Sequence, residues 1–188
     1  MSSPNEGQPE IPNGLIVVSG PSRGGKSRWA EHLLSSQKAV TYIATSAPRS
    51  NDPGWDERMR LHRERRPMNW KLREPGPQLA ECIRREDPNQ PLLIDALGGF
   101  TAVHLDNNDL DWEHVTNELI ESLLTRSCPT VIVIEETGWG VVPATAIGGL
   151  FRDRQGWLAQ RLEQHAADSW LVVQGRAVNL SQLGILVP

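Results

Sequence analysis

Two cysteines, Cys82 and Cys128, in 188 residues leave too little sulfur for a disulfide framework. Neither sits in a C-x-x-C pair or near a histidine at ligand spacing, which disfavours a zinc site and leaves two reduced structural thiols. The chain also lacks a basic excess: 19 Lys and Arg stand against 23 Asp and Glu, a formal net charge of -4. That balance argues against a nucleic-acid binder, so any phosphate recognition is expected to be local. No apolar run approaches the roughly 18 residues of a membrane span. The first residues, MSSPNEGQPEIPNG, have neither a basic nor an apolar region of the secretory kind. They read as a mobile polar extension over residues 1–13, ahead of one domain over 14–188 in the cytoplasm. Phe and Tyr are scarce, at two and one, whereas Trp is abundant at seven.

What the chain does contain is short apolar runs rich in branched residues, at Leu15–Ser19, Val40–Ala44, Leu92–Asp95, Thr130–Ile134 and Trp170–Gln174. Each has the composition of a strand buried on both faces. Helix-like stretches alternate with them at Lys26–Ser36, Trp55–Arg66, Gln78–Arg85, Trp112–Thr125 and Ala144–Ala167, the last opened by Pro143. Strand alternating with helix predicts an α/β fold with a mainly parallel sheet flanked by helices. Ile185–Val187 is a candidate last strand, and Pro48–Gly54 and Pro75–Pro77 read as loops.

Gly20-Pro21-Ser22-Arg23-Gly24-Gly25-Lys26-Ser27 fits G-x-x-x-x-G-K-[ST], directly after the first strand and at the start of a helix. Glycines there allow the backbone N–H groups to wrap closely around phosphates. Lys26 supplies charge to the β- and γ-phosphates, and the Ser27 hydroxyl can ligate Mg²⁺. A second acidic group is expected at a strand end to hold the metal or its waters. Asp95, closing LLID, is the first candidate; Glu135 and Glu136, closing VIVIEE, are the alternatives, the choice depending on which strand lies beside the phosphate loop.

The segment Arg58-Met59-Arg60-Leu61-His62-Arg63-Glu64-Arg65-Arg66-Pro67 packs five arginines around one histidine. In a helix His62 and Arg66 share a face. Such an arrangement suits an imidazole presented to phosphorus among guanidiniums, and equally a basic exposed helix end.

Over about Leu15 to Val178 the chain resembles the bifunctional adenosylcobinamide kinase and adenosylcobinamide-phosphate guanylyltransferase family. The resemblance runs through the phosphate loop, Tyr42-Ile43-Ala44-Thr45-Ser46, Arg58-x-x-x-His62-x-x-x-Arg66-Pro67-x-x-Trp70-x-x-x-Glu74, Asp95, Glu136-x-Gly138-x-Gly140-Val141-Val142-Pro143 and Phe151-Arg152-Asp153. It implies a P-loop NTPase of RecA-like type whose single nucleotide site serves two reactions. The first phosphorylates the hydroxyl on the aminopropanol arm of adenosylcobinamide. The second transfers GMP from GTP to that phosphate through a guanylylated histidine, which falls on His62; Lys26 is the other catalytic residue.

Nucleotide contacts are implied at Gly20, Pro21, Ser22, Arg23, Gly24, Gly25, Lys26, Ser27, Ala44, Thr45, Ser46, Arg63, Glu64, Arg65, Arg66, Glu74 and Asp95. Ser27 and Asp95 are the implied Mg²⁺ residues. GTP, with ATP as a second candidate donor, adenosylcobinamide and its phosphate, and a homotrimer complete the expectation. Alternatives are a single-activity P-loop kinase or guanylyltransferase, and a GTP-binding module without turnover. Three stretches depart from the family pattern. Glu135-Glu136-Thr137-Gly138 stands where Asn-Glu-Val-Gly is usual, Ala96-Leu97-Gly98-Gly99 where Cys-Leu-Thr usually follows the aspartate, and Gly156-Trp157-Leu158-Ala159-Gln160 where Gly-Arg-x-Asn-Gln is usual.

Overall fold

The computed structural model describes residues 9–46, 54, 57, 60 and 64–187. Alternating side chains along the strands dictate its layering, because successive residues of a strand point to opposite faces. Leu15, Val17, Ile43, Leu92, Ile94, Ile132 and Ile134 face one way into one buried cluster; Ile16, Val18, Tyr42, Leu93, Val131 and Val133 face the other way into a second. A strand with both faces apolar is stable only when helices cover both, and they do.

The elements run β1 (Gly14–Gly20), α1 (Lys26–Leu33), β2 (Thr41–Ala44), β3 (Lys71–Arg73), α2 (Leu79–Arg85), β4 (Leu92–Asp95), α3 (Gly98–Val103), α4 (Asp109–Leu124), β5 (Pro129–Glu135), α5 (Ala146–Glu163), β6 (Asp168–Val173), β7 (Arg176–Asn179) and α6 (Leu180–Leu183). The sheet order is β3-β2-β4-β5-β1-β6-β7, parallel except for the β6–β7 hairpin. Helix α1 brings Ala30 and Leu33 to one face, with Trp70 and Trp170 packed in the same layer. On the other face lie Leu79 and Ile83 of α2, Phe100 of α3, Leu119 and Leu123 of α4, and Leu158 and Leu162 of α5. Each such fully buried aliphatic side chain contributes roughly 1.5–3 kcal/mol of transfer free energy.

The structure corrects several expectations. Helix α5 begins at Ala146, not Ala144. Thr145 caps it by accepting the Gly148 N–H at 3.2 Å, which leaves Pro143 outside the first turn. Helix α4 begins three residues early, at Asp109, because the Asn108 side chain caps it by accepting the Asp111 N–H at 3.0 Å. Ile185–Val187 forms no strand: all three side chains are exposed and no neighbouring strand pairs with them. Gly54, expected in a loop, is helical, as are positions 57, 60, 64 and 65; the other residues from 47 to 63 lie outside the described set.

Candidate active site

Because β1, β2, β3, β4 and β5 are parallel, their C-terminal ends share one edge, the place where open α/β sheets bind ligands. Gly20 ends β1, Ala44 ends β2, Asp95 ends β4 and Glu135 ends β5. In register, Gly20 lies beside Glu135 and Ala44 beside Asp95.

The phosphate loop requires its glycines. Gly20 has φ +145° and Gly25 φ +111°, and a Cβ on Gly24 would lie 2.6 Å from the Val172 carbonyl oxygen. The hairpin at the end of β6 supports the loop from behind, where the Gly175 N–H donates to the Gly24 carbonyl at 2.9 Å. From the other side the Glu136 N–H donates to the Gly20 carbonyl at 2.8 Å. Lys26 opens α1 almost wholly buried, and its Nζ donates to the Pro21 carbonyl at 2.7 Å across the mouth of the loop. Pro21 is half-buried, and Ser22 and Arg23 are exposed. Arg23 takes positive φ, at +59°.

Asp95 meets the loop directly. The Ser27 hydroxyl donates to its Oδ1 at 3.2 Å, and the Tyr42 hydroxyl donates to its Oδ2 at 2.7 Å. Burial, reinforced by the Asp95 charge, pushes the Tyr42 hydroxyl well above the ordinary phenol range, so it stays protonated as a donor. A hydroxyl beside a carboxylate is a hard oxygen pair suited to Mg²⁺. No group of three His, Cys, Asp or Glu residues that could hold a metal lies among the described residues. Strand adjacency alone would choose differently, because β5 and not β4 is next to β1. Glu136 nevertheless turns its carboxylate back to the Gly138 N–H in its own loop.

Thr45 is buried and donates its hydroxyl to the Ala96 carbonyl, so the ends of β2 and β4 are tied together beside Ser46. Beyond residue 63, Arg65 extends to Glu31 on α1 at 3.2 Å, and the Arg66 guanidinium lies 5.4 Å from the centroid of the Tyr42 ring. Burial raises the Glu31 carboxyl, against the pull of Arg65. Glu64 pairs with Arg60 on the exposed side of the same helical segment. Glu74 follows β3, exposed at the same edge of the sheet. His62 and Arg63 lie outside the described residues.

Two features escaped sequence reasoning. Tyr42, on β2, is an Asp95 partner, signalled only by being the chain's one tyrosine. Glu135 is drawn inward: it accepts the Gly98 N–H at 2.8 Å and the Gln155 Nε2–H at 3.4 Å. The Gly98-Gly99 pair was its available signal. A Cβ on Gly98 would lie 2.8 Å from the Glu135 Oε2, and one on Gly99 would run into Thr45.

Comparisons with known proteins give the family and the fold. The sequence model of the family described as cobinamide kinase / cobinamide phosphate guanyltransferase matches residues 16–180. The bifunctional adenosylcobalamin biosynthesis protein CobU of Escherichia coli K12 is 34% identical over 181 residues, covering 88% of this chain and 99% of that protein. CobU of Salmonella typhimurium LT2 is 32% identical, with the same coverage. CobP of Pseudomonas aeruginosa PAO1 is 34% identical over 85% of this chain and 92% of its own. Among solved structures, a Pyrococcus horikoshii OT3 protein superposes with a TM-score of 0.51 at 8% identity, covering 89% of this chain and 85% of that one. An ATPase of a bacterial type III secretion system superposes with a TM-score of 0.50 at 13% identity, covering 92% of this chain and 58% of that one. These structural likenesses bear on the fold alone, which is that of RecA-like P-loop NTPases. The sequence matches carry the rest, and the chain belongs to the cobinamide kinase / cobinamide phosphate guanyltransferase family.

Proposed function

We propose that this protein phosphorylates adenosylcobinamide at the hydroxyl of its aminopropanol arm and then transfers GMP from GTP to the resulting phosphate through a guanylylated His62. The supporting observation is the convergence at one sheet edge. Ser27 and Asp95 meet beside the phosphate loop, and Arg65 and Arg66, at the end of the histidine segment, dock on Glu31 of α1 and on Tyr42. Lys26 and the loop N–H groups hold the triphosphate, and Arg63, Arg65 and Arg66 neutralise the transferring phosphate. Ser27 and Asp95 hold Mg²⁺, which when bound neutralises charge on the phosphate oxygens. A neutral imidazole attacks the α-phosphorus of GTP, pyrophosphate leaves, and the labile P–N bond passes GMP to the acceptor phosphate. Contacts to phosphates ignore the base, so they admit either GTP or ATP as phosphoryl donor.

The protein works in the cytoplasm as a homotrimer. Exposed Trp139, Val141, Val142, Ile147 and Leu150 supply apolar surface for a second copy. Light scattering should give a mass near three times the 20.9 kDa chain, and a monomer at micromolar concentration contradicts the trimer.

The deciding assay is purified protein with Mg²⁺, GTP and adenosylcobinamide. The expected products are the phosphorylated corrinoid followed by its GDP-linked form. Phosphorylated corrinoid alone leaves a kinase, and bound GTP without product leaves a binding module.

A further inference from the structure

Strand β5 separates the phosphate-loop strand β1 from β4, which carries Asp95, and it ends at Glu135 in register with Gly20. The carboxylate at that central position is built in, not incidental. Gly98 and Gln155 both donate to its Oε2, and Gln155 is itself oriented by the Thr101 hydroxyl, which donates to its carbonyl at 2.5 Å. Gly98 has no side chain where a Cβ would collide with that carboxylate. An ionised carboxylate accepts about four hydrogen bonds, so capacity remains for a ligand hydroxyl.

Glu135 also lines a cleft of about 210 Å³ shared with Ser19 of β1 and with Arg152, Trp157 and Gln160 of α5. At ~30 Å³ per water in the liquid, that volume suits a short alcohol-bearing arm and not a whole macrocycle. Ser19, the residue before Gly20, puts the cleft beside the end of the phosphate-loop strand.

We propose that Glu135 is the general base of the phosphoryl-transfer step, taking the proton from the acceptor hydroxyl. This rests on the kinase half of the proposed function. The hydroxyl oxygen forms a bond to the γ-phosphorus as the bond from that phosphorus to the β-bridging oxygen breaks. The nucleoside diphosphate leaves with that electron pair, and the hydroxyl proton moves to the Glu135 carboxylate. Neighbouring carboxylates are otherwise engaged: Asp95 by Ser27 and Tyr42, Glu136 by Gly138.

The charged groups around Glu135 are Lys26 from α1, Asp95 from β4, Glu136 from its own strand end, and Arg152 and Asp153 from α5; the contact from α3 is the uncharged Gly98. Burial chiefly, with help from the Asp95 charge, raises the Glu135 carboxyl above the ordinary carboxylate value, against the opposing pull of Gly98 and Lys26. A carboxylate so raised is a better proton acceptor near neutral pH.

The test measures two reactions separately: phosphorylation of adenosylcobinamide with labelled γ-phosphate, and GMP transfer from GTP to pre-formed adenosylcobinamide phosphate. Glu135→Gln should lower kcat for phosphorylation about 100-fold or more relative to any change in GMP transfer, the usual size of a lost general base. The acidic limb of the wild-type kcat–pH profile should disappear in Glu135→Gln, and Glu135→Asp should retain more activity than Glu135→Gln. Glu135→Ala supplies the same loss with a smaller side chain if the glutamine variant misfolds. Phosphorylation within threefold of wild type in both variants that lack the carboxylate overturns the proposal, as does an acidic limb that persists in them. A parallel fall in both reactions assigns Glu135 a structural role, and a raised Mg²⁺ requirement makes it a metal ligand; either contradicts it. A wild-type protein that transfers GMP but never phosphorylates refutes the kinase reading itself, and the base with it.

Discussion

Ser27 and Asp95 touch although Ser27 follows β1 and Asp95 ends β4, two strands that do not pair. The Ser27 hydroxyl donates to the Asp95 Oδ1 at 3.2 Å, while β5 lies between β1 and β4 in the sheet. Two strand spacings amount to roughly 10 Å, and the turn from β1 into α1 bridges that gap. The carboxylate is fixed from the far side by Tyr42, on the strand beyond it. A hydroxyl–carboxylate pair held by α1, β4 and β2 in this way depends on the sheet as its ruler.

Asp95→Asn should therefore raise the Mg²⁺ concentration for half-maximal kinase activity by about tenfold, since a neutral amide is a poorer ligand for a hard cation. A Mg²⁺ titration of both reactions checks it. If Glu136→Gln shows that shift and Asp95→Asn does not, Asp95 is the wrong carboxylate.

Lys26→Ala should weaken triphosphate binding by at least about tenfold, some 1.4 kcal/mol, and lower phosphorylation further. The substitution removes the ammonium now resting on the Pro21 carbonyl and leaves the backbone cradle, held by Gly175 and Glu136, in place. Calorimetry of nucleotide binding beside turnover kinetics checks it, and unchanged affinity with unchanged turnover contradicts the assignment.

Glu86 offers a pH test of the fold. It is buried just beyond α2, where it accepts hydrogen bonds from Lys71 at 2.8 Å and Arg73 at 2.6 Å on edge strand β3, and from Thr41 at 3.3 Å on β2. Burial is the largest single influence and acts upward, but Lys71 and Arg73 together bring the carboxyl below its ordinary value of 4.5. A carboxyl lowered by folding stabilises the protein above the unfolded value, and that stability is lost as pH falls through the folded one. Glu86→Gln should cost about 1–2 kcal/mol at pH 7, the cations being partly exposed. The difference from wild type should shrink below pH 4.5, and urea denaturation at pH 7 and pH 3 reads both values.

Much of this architecture is legible locally. The apolar runs of β1, β2, β4, β5 and β6 are visible because a strand buried on both faces has no polar alternation to hide it. Strand β3 is not, since Lys71-Leu72-Arg73 has no apolar run and is held by β2 and by Glu86. Strand β7 follows a tight turn at Gln174 and Gly175, both at positive φ, so Gly175 was its one local cue. Helix α3 was obscured by the Gly98-Gly99 pair. Among the seven tryptophans, Trp29 packs on Trp170 at a centroid distance of 4.9 Å while Asp168 accepts the Trp170 indole N–H. In the site, the phosphate loop and Asp95 were readable because each motif is contiguous or ends a strand. Tyr42 and Gln155 were not, because their partners lie 53 and 20 residues away.

The most direct measurement is covalent labelling of the protein with α-labelled GTP and Mg²⁺ in the absence of any corrinoid. Wild-type protein should take up label in a bond lost in acid and stable in alkali, as a P–N link is and a serine or threonine phosphoester is not. His62→Ala should abolish the label yet keep phosphorylation of adenosylcobinamide measurable, since that step uses the phosphate loop and no covalent intermediate. Label that persists in His62→Ala, or wild-type protein that binds GTP and never becomes labelled, contradicts the guanylylated histidine.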